Sequence, residues 1–174
     1  MNIIFKFLFV FLVLILVPLV CFSAVDNKIK FNSKTYNLSN PDTKTDRYVY
    51  LLKDENIGNW NSQIYKEIIK DTSNKTEAAA ELAYQIQKEN PKAVVLVYPE
   101  AATIGYITFP TTKNFYEYNA VVFKNFNDGL TKLGFAKRFY ADKNGGAEGA
   151  RTAAILFAEK NNKKLMEMVN KQLR

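Results

Sequence analysis

The chain has 174 residues, with 24 Lys and Arg against 17 Asp and Glu, no His, and a single Cys at position 21. This composition excludes a Ser-His or Cys-His catalytic pair, a zinc site of the usual Cys and His kind, and a disulfide within the chain. Carboxylates remain available for acid–base chemistry, and two of them are enough to hydrolyse a glycoside, so composition leaves that class of enzyme open.

The first residues have the pattern of a secretory signal peptide. Lys6 precedes an apolar run over Phe7–Val20, and Cys21 and Ser23 are small residues at positions −3 and −1 of a cleavage site after Ser23. Two alternatives stay open: lipidation of Cys21, and retention of the run as an anchor, although a span needs about 20 residues. All three export the rest of the chain. Cleavage near Ser23 predicts an exported protein with no stable membrane insertion.

After cleavage about 150 residues remain, which suits one compact domain. We predict a signal peptide over 1–23, an N-terminal extension or edge hairpin over 24–46, and a single α+β domain over 47–174. The chain shows no internal repeat and no second apolar segment that would indicate another membrane span.

Charge is distributed unevenly along the chain. Residues 24–129 contain 13 basic and 13 acidic side chains, whereas residues 130–174 contain 10 basic and 4 acidic ones. A basic surface attracts anionic partners such as lipid head groups or acidic proteins. The simpler interpretation is solubility, together with Lys placed favourably near a helix C-terminus. Nucleic acid is not expected as a partner of an exported chain.

The distribution of β-branched and aromatic residues predicts mainly strands. In chain order we expect a short hairpin over 28–38 and strands over 47–53, 63–70, 93–98, 103–109, 115–126 and 130–140. The segment 63–70 also fits a helical face, and its context favours a strand. A helix is predicted over Thr76–Asn90, with Thr76 as N-cap and Pro91 ending it, and a second helix runs from Ala147 to about Leu173.

The segment 115–140 is the centre of the predicted sheet because Asp128-Gly129 between two aromatic runs indicates a hairpin. With those two residues as the loop, Val122 lies opposite Phe135 and Asn119 lies opposite Arg138. One face of the hairpin is then apolar and the other more polar, which fits a sheet covered on one side and partly open on the other. The predicted fold is α+β, an antiparallel sheet with the two main helices packed on one face.

Few residues suggest a functional site. We identify Lys132, Arg138, Lys143 and Arg151 as a candidate partner-contact surface, because Lys132 and Arg138 share one face of the hairpin. Trp60 is a candidate aromatic anchor packed on the core, and stacking on a ligand is the alternative. The Gly145-Gly146 segment fits neither nucleotide-binding pattern and is interpreted as a loop. No catalytic residue, metal ligand or cofactor is predicted.

Several short motifs carry a resemblance to a known family. They are Asn59-Trp60-Asn61, the step Asn90-Pro91-Lys92-Ala93 between helix and strand, Tyr106–Phe109, Tyr118–Phe123 and Phe135–Tyr140. Over about Arg47–Val169 the chain resembles the EirA-like periplasmic proteins, small exported proteins of intracellular pathogens with a Dot/Icm-type type IV secretion system. The Cys that the family has in the helix-strand step is Asn90 here, so any role of that Cys is absent.

The resemblance implies a non-enzymatic accessory protein that supports effector secretion and intracellular replication. The expected partners are envelope proteins, including type IV secretion components, and self-association is left open. The resemblance supplies no active-site residues. The alternative expectation is a small periplasmic binding module for an anionic ligand or lipid, which rests on the basic C-terminal third and the ten tyrosines.

Overall fold

The structure, a computed structural model, describes residues 26–42, 46–70, 72–108, 114–126 and 129–172. Two helices are described, α1 (Lys75–Glu89) and α2 (Ala147–Gln172). The strands are β1 (Lys28–Phe31), β2 (Lys34–Asp42), β3 (Arg47–Leu51), β4 (Ser62–Ile69), β5 (Val94–Tyr98), β6 (Thr103–Thr108), β7 (Phe115–Phe126) and β8 (Gly129–Tyr140). All eight form one antiparallel sheet in the order β1-β2-β3-β4-β8-β7-β6-β5. The α+β class is therefore confirmed.

The central hairpin β7–β8 forms as predicted, but in a different register. Val122 lies opposite Leu133, and Phe126 lies opposite Gly129. The predicted pairing of Val122 with Phe135 is wrong by two residues, and Asp128 lies outside the described residues. Because side chains alternate with a period of two, a shift of two leaves every side chain on its predicted face.

Both faces of the sheet are buried at its centre, because β7 is buried without interruption from Tyr118 to Phe123. On one face, α2 packs on a core built from β6, β7 and β8. On the other face, α1 packs through Ala79 on a second core that includes Val121 and Ile104. The expectation that both helices share one face is thus corrected: the helices lie on opposite faces, and neither face of the centre is open.

The sheet curls strongly toward α2. The ring of Phe31 on β1 stacks on the ring of Phe135 on β8, with centroids 5.2 Å apart. Four strand spacings separate these strands, which would be about 19 Å in a flat sheet. The first hairpin, β1–β2, therefore folds over and closes one end of the α2 core, to which it contributes Ile29, Phe31 and Tyr36.

The helix ends differ in detail from the sequence prediction. Asn74, rather than Thr76, is the N-cap of α1, and its side-chain oxygen accepts a hydrogen bond from the Glu77 backbone N–H at 3.1 Å. The turn before α2 uses Gly145 and Gly146 at positive φ, 72° and 99°, where glycine avoids the strain that other residues meet. The Gly-rich segment is therefore a turn, as expected.

Candidate functional site

The side chain of Arg138 lies between two aromatic rings at the end of β8. Its guanidinium carbon is 3.7 Å from the Trp60 ring centroid and 4.1 Å from the Phe115 ring centroid. A planar guanidinium stacks well on aromatic faces, and this attraction strengthens when water is excluded. Trp60 is only 3% exposed. Arg138 and Trp60, predicted as separate features, are therefore parts of one cluster.

The carboxylate of Glu117 completes this arrangement. We call the five residues the Arg138 cluster: Trp60, Phe115, Glu117, Arg138 and Tyr140. Arg138 Nε donates to Glu117 Oε2 at 3.1 Å, and the Arg138 side chain is 13% exposed. The Tyr140 hydroxyl donates to the Trp60 backbone carbonyl at 2.7 Å. Because its charge is paired and stacked, Arg138 positions neighbouring segments and offers little free charge to a partner.

The loop between β3 and β4 is held against the Arg138 cluster by its own polar side chains. Glu55 Oε1 accepts from the backbone N–H and the side-chain amide of Asn61, at 2.8 and 2.9 Å. Asn56 Oδ1 accepts from the backbone N–H groups of Gly58 and Asn59, both at 3.0 Å. The Asn61 carbonyl accepts from the Arg138 backbone N–H at 2.9 Å. These bonds give the loop a defined shape.

Two of the predicted contact residues lie exposed near this end of the sheet. Lys143 Nζ is 3.4 Å from Asn61 Oδ1 and 5.0 Å from the Tyr140 ring centroid, so it borders the Arg138 cluster. Arg151 lies in the second turn of α2 and pairs with Glu148 at 3.1 Å. Exposed pairs of this kind contribute little stability. Both side chains are exposed to solvent.

Lys132 lies elsewhere, although it shares its sheet face with Arg138. It pairs with Glu67 at 3.0 Å and lies 5.8 Å from the Tyr65 ring centroid. Lys132 lies six positions before Arg138 along β8, which corresponds to about 20 Å. The structure thus places Arg138 and Lys143 together, with Lys132 at a distance. Sequence reasoning did not connect Glu117 or Phe115 with Arg138, which a correct β7–β8 register would have done.

Two tyrosines, the buried Tyr65 and the partly buried Tyr106, lie on the same sheet face between Lys132 and Arg138. The hydroxyls of Tyr65 and Tyr106 hydrogen-bond to each other, and the guanidinium carbon of Arg47 is 5.3 Å from the Tyr65 ring centroid. Burial raises the pKa of Tyr106 to about 12 and raises that of Tyr65 as well. Both phenols are therefore neutral near pH 7 and act as packed hydrogen-bonding groups.

A cleft of about 560 Å³ lies beside the first hairpin. Its wall contains two lysines and one carboxylate, Lys28, Lys53 and Glu55, and its remaining lining is Thr35, Asn37, Leu38, Ser39, Leu51 and Leu52. Among the described residues, Glu55 Oε2 is buried without a hydrogen-bond partner. The cleft therefore offers two cations for an anion.

Two further observations apply to the described part of the chain. No group of three or more Cys, Asp or Glu side chains there is arranged to hold a metal ion. Neither of the two described helices combines the length and the apolar character that crossing a membrane requires.

Comparison with known proteins places the chain in a family. No curated protein and no solved structure matches it. A protein-family model matches residues 23–173 and so includes every described strand and helix. The match begins at Ser23, after which signal cleavage is predicted. Because the matched range spans most of the 174 residues, the chain belongs to the family that this model represents.

Proposed function

We propose that this protein is a non-enzymatic accessory protein of the bacterial periplasm that supports type IV secretion of effectors, and intracellular replication, through contacts with other envelope proteins. The export pattern before residue 24 and the resemblance of the segment 47–169 to EirA-like proteins support this proposal. The start of the family match next to the predicted cleavage site is consistent with an exported mature domain.

The observation that carries the proposal is the rigid surface formed around the Arg138 cluster. The cluster and the hydrogen bonds of Glu55 and Asn56 hold the β3–β4 loop, on which Ile57 is 51% exposed. Lys143 is exposed on the adjacent turn. A preformed surface loses less conformational entropy on binding than a mobile loop. We call Ile57 and Lys143 the contact surface.

The chemistry of the contact surface indicates the kind of partner. An exposed Ile on a loop that a lysine contacts is complementary to an apolar pocket with an acidic rim on another protein. Lys143 is expected to act mainly through the rate of association, and therefore through salt dependence, because charges at a rim are only partly desolvated.

Photo-crosslinking in the native envelope tests this function. We expect Ile57→benzoylphenylalanine to crosslink to an envelope protein, and mass spectrometry to identify a secretion component in the product. Lys143→Glu in the same chain should reduce the yield several-fold, whereas Lys160→Glu on the exposed side of α2 should not. The matched control, Leu156→benzoylphenylalanine, carries the probe at an exposed site on α2. Equal products from both positions, or no secretion component from position 57, would contradict the proposal.

The cleft beside the first hairpin supports a second candidate function, binding of a small anionic ligand. Lys28 and Lys53 line the cleft and would pair with the negative charge of the ligand. Phosphate carries such a charge and serves as the probe.

Amide NMR shifts during phosphate titration test this second candidate. We expect saturable shifts at Lys28, Asn37 and Lys53, which the double variant Lys28→Glu, Lys53→Glu abolishes. The control pair Lys160→Glu, Lys164→Glu removes the same charge from α2 and should keep the shifts. Linear, non-saturating shifts that are the same in both variants would exclude a phosphate site in this cleft.

A further inference from the structure

The sheet has two edge strands, β1 and β5, and only β1 carries charged residues. On β1, Lys28 and Lys30 are exposed and alternate with the buried Ile29 and Phe31. On β5, all five residues are apolar, and Val94, Leu96, Val97 and Tyr98 are between 38% and 49% exposed. Among the described strands, β5 pairs only with β6, so its other side presents free backbone groups.

An unprotected edge strand is unusual because it offers a template for another chain. Proteins normally protect such edges with lysine, proline or a bulge. Lysines protect β1 in this way, whereas β5 contains no charge, no proline and no glycine, and it pairs with β6 over five consecutive residues without a bulge. Of the two edge strands, only β5 lacks such protection. This difference indicates that another strand covers the β5 edge in the functional protein.

We propose that β5 is covered by β5 of a second copy of this chain. The two strands run antiparallel across a two-fold axis at Leu96, and the two eight-stranded sheets become one continuous sheet. This contact is separate from the contact surface around Ile57 and does not depend on its function.

The sequence of β5 is complementary to itself in this arrangement. Leu96 lies opposite Leu96 of the second copy, Val95 opposite Val97, and Val94 opposite Tyr98. Every pair is apolar, and an aromatic opposite a β-branched residue is a favourable cross-strand pair. No other centre within the strand pairs all five residues, since moving the axis leaves residues at one end without a partner.

The surroundings of β5 leave room for the second copy. Helix α2 packs against β6, β7 and β8. Val94 is opposite Ile107, a residue of the α2 core, so Val94, Leu96 and Tyr98 lie on the α2 face of the sheet. These three side chains are between 46% and 49% exposed. On the other face, α1 packs on β5, and its Tyr84 is 60% exposed. A second copy would cover apolar side chains on both faces.

The size of the contact predicts a weak dimer. A five-residue seam with its neighbouring side chains buries on the order of 1,000 Å² in total, the lower limit for a specific interface. We therefore expect a micromolar dissociation constant. The seam contains no charge, while each chain carries a net positive charge, +7 over the full sequence. Salt screens that repulsion, so the dimer should strengthen as ionic strength rises.

Sedimentation velocity tests the dimer. The sample is the protein expressed from the full chain and purified after its natural processing in cells. We expect a concentration-dependent shift from monomer to dimer. Leu96→Lys should raise the dissociation constant at least about tenfold, because the two-fold axis places the lysines directly opposite each other. Leu96→Glu should do the same. An equal mixture of the two variants should dimerise again, since Lys then faces Glu across the axis.

Leu156→Lys is the control, because Leu156 is 59% exposed on α2 and outside the seam. It should dimerise as the unchanged chain does. Circular dichroism checks that each variant is folded, which the exposed position of Leu96 favours. A chain that stays monomeric at several hundred micromolar overturns the proposal, even if β5 binds a strand of another protein. A dimer that Leu96→Lys leaves unchanged, or a mixture that stays monomeric, overturns the proposed pairing.

Discussion

Replacing Trp60 by alanine is expected to lower the free energy of unfolding by about 3–5 kcal/mol, the usual cost of truncating a buried large aromatic side chain. Trp60 is 3% exposed and packs in the core on the α1 face. The change also removes one of the two rings that enclose the Arg138 guanidinium, leaving a nearly buried cation with less favourable surroundings. Urea denaturation followed by circular dichroism measures the difference.

Ile57→Ala in the same loop is the control for Trp60→Ala. Ile57 is exposed, so its truncation should change stability by no more than about 0.5 kcal/mol. A double-mutant cycle of Trp60→Ala with Arg138→Ala should show a coupling of about 0.5–2 kcal/mol, the range for a cation–π contact partly removed from water. Strictly additive effects would show that the stacking contributes no stability, and equal effects of the Trp60 and Ile57 changes would contradict the anchoring role.

Replacing Gly134 by alanine is expected to destabilise the protein by about 1–3 kcal/mol, as overpacking of a filled core does. Gly134 lies opposite Tyr65 on β4, and a Cβ at Gly134 would collide with the Tyr65 ring and hydroxyl. Tyr65 is buried and hydrogen-bonded to Tyr106, so its ring has little freedom to move away. Thermal unfolding and urea denaturation give the size of the effect.

Gly58→Ala is the matched control for Gly134→Ala. A Cβ at Gly58 meets only the Asn56 side-chain oxygen at 3.4 Å, which is an ordinary contact. We expect a change within about 0.5 kcal/mol there, as at most exposed positions. Combining Gly134→Ala with Tyr65→Leu should cost less than the sum of the single changes, because the shorter side chain vacates the space. Full additivity would show that the Tyr65 ring is not the obstacle.

The strand and helix positions could be predicted from local patterns. Side-chain alternation assigned Val122, Leu133 and Phe135 to one face and Lys132 and Arg138 to the other, and the structure agrees. The register of the hairpin could not be derived in the same way, because a shift of two residues preserves every face. A three-residue loop would place Lys124 directly opposite Lys132, and this repulsion disfavours that odd shift but does not distinguish between even ones.

The packing of the helices could not be predicted from their own sequences. An apolar stripe shows that a helix is buried on one side, but both faces of this sheet are apolar at its centre. The choice of face depends on the sheet order and the connections, which are properties of the whole chain. Asn162 illustrates the same limit. An Asn within a helix is usually exposed, yet Asn162 is buried and accepts a hydrogen bond from the Tyr118 hydroxyl at 2.8 Å.

The candidate site distinguishes most clearly what the sequence predicts from what only the tertiary structure determines. The sequence alone indicated a buried anchor at Trp60 and a basic surface of Lys132, Arg138, Lys143 and Arg151, because residue type and local spacing carry that information. Only the tertiary structure placed Trp60 beside Arg138, 78 positions later, and Glu117 opposite Arg138. These contacts arise because β4 and β7 both pair with β8, and pairing between strands distant in sequence depends on the packing of the whole sheet.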